Sequence, residues 1–142
     1  MESAPPIWID VFASVIRDNQ TAQVALMAVL LLILLDWVFG VANALAHKEF
    51  SSEKMREGIG HKCSELGFCL VGVIIDGTII GGVDLGYTAP CFTAICIYIC
   101  LMEIGSLLEI FSKMNPQLAD NPIMQLLKQN KTIEHIVEHE EG

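Results

Sequence analysis

Residues 87–111 read YTAPCFTAICIYICLMEIGSLLEIF, an apolar run without a single base and with Glu103 and Glu109 inside it. A helix crossing the hydrocarbon core of a bilayer needs about 20 mostly apolar residues at ~1.5 Å each. The run is long enough to cross, and a carboxylate at that depth is costly enough to require a reason. Two further runs, 22–46 and 63–82, carry Asp36 and Glu65 with Asp76. Three such runs in 142 residues, 53% of them hydrophobic, indicate an all-α membrane protein with three transmembrane helices and not a globule with an amphipathic core.

Working outward, residues 1–21 place Ile7, Trp8, Val11, Phe12, Val15 and Ile16 on one helical face. This predicts a short amphipathic helix over 5–18, lying in the membrane interface, with Pro5 and Pro6 in its first turn. The first span, 22–46, contains the unbroken apolar stretch Ala25–Leu35 and continues past Asp36 with a small-residue pair, Gly40 and Ala44. A charged loop, 47–62, follows. Ser51 or Ser52 is its expected helix cap, and Gly58 and Gly60 are its expected weak point or hinge. The second span, 63–82, has a GxxxG pair, Gly77 and Gly81, with Gly72 on a nearby face, suited to close helix approach. The outer turn, 83–86, is short enough to make spans two and three antiparallel neighbours, with Tyr87 at the membrane edge and Pro90 in the first turn of the third span. The tail, 112–142, is cytoplasmic, with a short amphipathic helix built from Ile123, Met124, Leu126 and Leu127 and a mobile acidic end.

Net charge is −9, which argues against nucleic acid as a partner. The five cysteines lie within apolar runs and read as soft packing residues; neither a disulfide framework, a metal site nor a cofactor is expected. The four histidines are assigned no chemistry, and no nucleophile–base pair or phosphate loop suggests an enzyme. The N-terminus lacks the basic region and cleavage site of a signal peptide. Lys48, Lys54, Arg56, Lys62, Lys113, Lys128 and Lys131 fall on one side of a three-span chain and only Arg17 on the other, so the expected orientation is N-out, C-in.

That orientation places Asp36 and Glu103 at similar depth and Asp76 nearer the outer face. Glu103, Ser106 and Glu109 recur every three residues and are expected to share a helical face. No base is read inside any span. The acids are therefore expected to be protonated, to hydrogen-bond between helices through Asn43, Ser64, Thr78 or Thr93, or to face water in an oligomer. Asp36, Asp76, Glu103, Ser106 and Glu109 form the candidate pore or oligomer face; Gly40, Ala44, Gly72, Gly77 and Gly81 are the candidate packing positions.

The ordered set LDWVFGVANALAHKEFSSEKMREGIGHK (35–62), Asp76, Glu103-Ile104-Gly105-Ser106 with Glu109, Asn115-Pro116 and QLLK at 125–128 resembles the phage lysis and toxin-secretion holin family, which includes the clostridial toxin-release holin. The likeness spans roughly residues 30–128, with Met114 standing between Lys113 and Asn115 as a departure from the family spacing. It implies a homo-oligomer that accumulates in the host's cytoplasmic membrane and opens lesions releasing endolysin or toxin. Endolysin would pass without specific binding, and an antiholin would be a further partner. Other classes compatible with the residues are a small ion or proton channel, a small multidrug transporter (which usually needs a fourth span), and a non-conducting anchor or antiholin-like regulator.

Overall fold

The computed structural model describes residues 7–86, 88, 90–127 and 129, and among these it contains helices and no strand. They are α1 (Ile7–Arg17), α2 (Gln20–Ala46), α3 (Ser52–Ile80), α4 (Cys91–Met114) and the single turn α5 (Pro116–Ala119). Residues 122–127 are again helical. Pro5, Pro6, Tyr87, Lys128 and the acidic end of the tail lie outside the described residues.

Local chemistry sets each boundary. Asn19 caps α2 by accepting from the Ala22 amide at 3.2 Å, and Ser51 caps α3 by accepting from the Lys54 amide at 3.1 Å. Asn115 and Asn121 each cap a helix whose first residue is a proline, accepting from the Gln117 and Ile123 amides. Proline suits that position because its missing N–H would have had no intrahelical partner. Between α3 and α4 the chain turns through Gly82 and Gly86, both at positive φ, with Asp84 accepting from the Gly86 amide at 2.8 Å.

Three helices, α2, α3 and α4, are long and apolar enough to cross a membrane. At ~1.5 Å per residue each exceeds the ~30 Å hydrocarbon core. α4 is the common partner: α2 and α3 each pack along it and touch one another only sparsely. Its buried residues are Phe92, Cys96, Ile99, Glu103 and Leu107, spaced four, three, four and four apart, a single stripe. The core gathers Phe92, Cys96 and Ile99 with Ala22 and Val29 of α2, Cys69 of α3 and Val15 of α1. Near the other end of α4, the Phe39 and Phe111 rings meet edge to face at 4.9 Å. There a Cβ on Gly40 would meet the end of Ile110 at 3.9 Å, an ordinary contact, so the packing does not require a glycine at this position.

The glycines divide sharply. A Cβ on Gly72 would stand 2.8 Å from the Phe92 Cα, so this residue sets the approach of α3 to α4. Gly77 holds the Phe12 ring, and Gly81 lies near Val11. The GxxxG pair therefore seats α1 and not another span. A methyl group on Gly58 or Gly60 would meet nothing within 4 Å, and α3 runs unbroken through both positions, where the sequence predicts a weak point. The second apolar run lies within a helix that begins at Ser52, and the charged loop shrinks to the residues between α2 and α3. Pro90 precedes the first turn of α4 and does not belong to it. Outside the spans, Arg17 pairs with Asp10 and Asp18, and its guanidinium holds the Asp18 carboxyl below the usual carboxylate range.

Gly72→Ala is expected to force α3 and α4 apart and lower stability by about 1–3 kcal/mol, as overpacking does. Gly60→Ala, at an open mid-helix position, is expected to raise it by about 0.5–1 kcal/mol. Thermal unfolding of both variants in one detergent checks the pair.

A buried lysine shared by three acids

Ten residues into α3, about 15 Å from its start, the Lys62 ammonium meets carboxylates from all three spans. Nζ lies 2.9 Å from Asp36 Oδ2 on α2, 2.5 Å from both Glu103 oxygens on α4, and 3.7 Å from Glu65 Oε2 on α3 itself. Asp36 is ten residues from the end of α2 and Glu103 eleven from the end of α4, so the three helices deliver these groups at one level. The side chains of Glu103, Glu65, Asp36 and Lys62 are 2%, 6%, 12% and 15% exposed, so the charges sit in the protein interior and not on its lipid-facing surface.

This overturns the expectation that no base reaches the acids. Composition turns charged over 47–62 and so points to a loop there, but α3 carries Lys62 inward. Ser51, a cap legible in the sequence, already starts a helix on which Lys62, Glu65, Cys69 and Gly72 share a face at i, i+3, i+7 and i+10. Glu65 and His61, absent from the candidates drawn from sequence, join the cluster by the same route: His61 Nδ1 lies 3.0 Å from Glu65 Oε1 at its edge. A cleft of about 270 Å³ between α2 and α3, walled by Trp37, Gly40, Phe50 and Met55, reaches Asp36 and Lys62.

The other candidate residues have separate positions. Asp76 receives the Cys91 and Phe92 amides, each at 2.9 Å, on its two carboxylate oxygens. Pro90 has no side chain with which to cap α4, so α3 supplies the cap across the helix pair. Ser106 is half-buried, while Glu109 is exposed and accepts from Lys113 at 2.9 Å. Glu103 and Glu109 do not share a face. Each three-residue step falls about 60° short of a full turn, so two steps rotate Glu109 out of the buried stripe. Ser64 and Thr78 donate to carbonyls of their own helix instead of bridging spans. Gly40 and Ala44 lie beside the α2–α3 cleft. The five cysteines are free thiols, Cys69 and Cys96 buried.

Removing the base while leaving the acids is expected to be the most damaging change in the cluster. Lys62→Met should lower stability by about 3–5 kcal/mol, the range for stranding one side of a buried ion pair. Adding Asp36→Asn, Glu65→Gln and Glu103→Gln to Lys62→Met should recover most of that loss, because no charge is then left uncompensated. Unfolding in detergent and the amount of protein in membranes read both effects. At the other end, Asp76→Ala should cost about 1–2 kcal/mol and Asp76→Asn less, since the amide keeps one acceptor.

No curated protein and no solved structure matches the chain. A family model described as the bacteriophage holin family matches residues 20–131, from the first residue of α2 into the tail beyond α5. Three candidate spans and that match together make this a multi-pass protein of the bacterial inner membrane, and the chain belongs to the bacteriophage holin family.

Proposed function

We propose that the chain is a lesion-forming holin that self-associates in the host's cytoplasmic membrane and releases a muralytic endolysin, or a toxin, at the time of lysis. The observation that carries the reading is the bareness of α2. It is the most apolar span, with a mean hydropathy of 2.6, yet only 6% of its apolar stretch is buried within the chain. Its one acid is turned inward onto Lys62. A helix whose one charge is turned inside and whose remaining surface is apolar has lipid or another protein helix as its neighbour.

Charge supports an N-out, C-in orientation. Lys48, Lys54, Arg56 and Lys113 gather at the end where α2 stops and α3 starts, and Arg17 lies by the start of α2. Lys62 leaves the tally, since its partners are buried acids, and the bias survives without it. α1 suits the opposite interface: Ile7 and Trp8 are exposed while Phe12 sits on Gly77.

In a single chain Lys62 holds Asp36 Oδ2 and both Glu103 oxygens, while Asp36 Oδ1 is left without a hydrogen-bond partner. When copies associate and open, the same groups provide the polar surface a wet lesion requires, by exchanging partners within a chain for water and partners between chains. Asp76 and Glu109 are secondary to that surface, the first engaged in capping α4 and the second paired with Lys113 at the loop end. Endolysin passes such a lesion by size and needs no docking site; an antiholin would act by joining the assembly.

Lysis timing tests the reading. Expressed with an endolysin, Asp36→Asn and Glu103→Gln should each shift the onset of lysis while the protein still inserts in the membrane. Unchanged timing in both would overturn the role of the cluster. In liposomes the wild-type chain should release a folded protein of endolysin size; release of ions alone would favour a narrow channel instead.

A further inference from the structure

The Lys62 cluster is short of hydrogen-bond donors. The ammonium has three N–H groups, and they are accounted for by Asp36 Oδ2 and the two Glu103 oxygens. Glu65, 6% exposed, is left with neither oxygen accepting a hydrogen bond. Its nearest nitrogens are Lys62 Nζ, 3.7 Å from Oε2, and His61 Nδ1, 3.0 Å from Oε1. Its carboxyl and that of Glu103 converge on the same ammonium, with Nζ 3.7 Å from Glu65 Oε2 and 2.5 Å from both Glu103 oxygens. A buried carboxylate without a donor carries the full desolvation cost of the ion, and two facing carboxyls are both satisfied only when a proton lies between them. Three carboxylates on one ammonium would otherwise leave two uncompensated negative charges among apolar helices.

We infer that Glu65 and Glu103 form a proton-binding site that exchanges with solvent through His61. The chemistry requires no other ligand: one proton completes a Glu65–Glu103 hydrogen bond and removes one negative charge. His61 suits the relay because its ring is 59% exposed while Nδ1 reaches the buried Oε1. An imidazole takes a proton from water on one nitrogen and releases one from the other near neutral pH. The groups facing the site are Asp36 from α2, His61, Lys62 and the thiol of Cys69 from α3, and the thiol of Cys100 from α4 beside Glu103. Of these only His61 is largely exposed, which makes it the entrance.

Infrared spectroscopy of the full chain in lipid vesicles tests this directly. At neutral pH the wild type should show the carbonyl band of a protonated carboxyl, and labelling glutamate with carbon-13 at the carboxyl should move it. This measurement needs no substitution. Glu65→Gln should remove the band, and His61→Gln should keep it but slow its deuterium exchange at least about tenfold, as expected when a positioned acid–base group is lost. Absence of the band, or its movement only on aspartate labelling, would overturn the site. Exchange at the wild-type rate in His61→Gln would overturn the route through His61.

Discussion

One ammonium holds the three spans at a common level. In water, helices associate because their apolar faces leave solvent, but in lipid that force is absent, since acyl chains are as apolar as leucine. What remains is close packing and the satisfaction of polar groups that lipid cannot satisfy. α2 and α3 scarcely touch, yet both reach Lys62, α3 by carrying it and α2 through Asp36. Glu103 brings α4 to the same atom. The geometry of the bundle at this depth follows from three carboxylates competing for one cation.

The position of Glu103 shows how far this constraint reaches into packing. It occupies a regular place in the buried stripe of α4, between Ile99 and Leu107, where an apolar residue would otherwise stand. Nearer the start of α4, α3 and α4 are joined again by a polar device, Asp76 of α3 on the opening amides of α4. Gly72 lies between these two attachments and lets the backbones approach. α3 and α4 are thus fixed by a charge, a glycine and a cap in succession, and the two polar attachments are effective because a lipid environment makes unsatisfied polar groups expensive.

Much of this is legible in the sequence, and the omissions share a cause. Run length identifies the three spans, the short turn makes α3 and α4 neighbours, and Ser51 announces the start of α3. Lys62 escapes a reading by composition, which ends a span where charge begins, whereas a helix ends where its hydrogen bonds do. The face containing Glu103 does not extend to Glu109 because a three-residue repeat drifts around a 3.6-residue helix. The glycine pair at 77 and 81 correctly marks a close contact, but a motif of small residues does not say which helix will fill it, and Phe12 of α1 does so. Asp76 stands out as a charge within an apolar run, while its purpose depends on Pro90, distant in sequence and unable to cap its own helix.

A buried ion pair is weak evidence for stability, because the cost of desolvating both partners offsets most of their attraction. Apolar residues at positions 36, 62 and 103 could hold three helices together at least as well. What they could not provide is a single arrangement that is enclosed in the closed chain and hydrophilic once parted. With α2 bare to its surroundings and a cleft reaching Lys62 between α2 and α3, the cluster is where separating the spans exposes charge instead of hydrocarbon. On the function proposed above, the chain first rests in the membrane without breaching it, which needs its polar groups hidden, and here the Lys62 cluster lies inside the bundle. On that same function, the atoms that close the bundle would supply the surface along which water enters it.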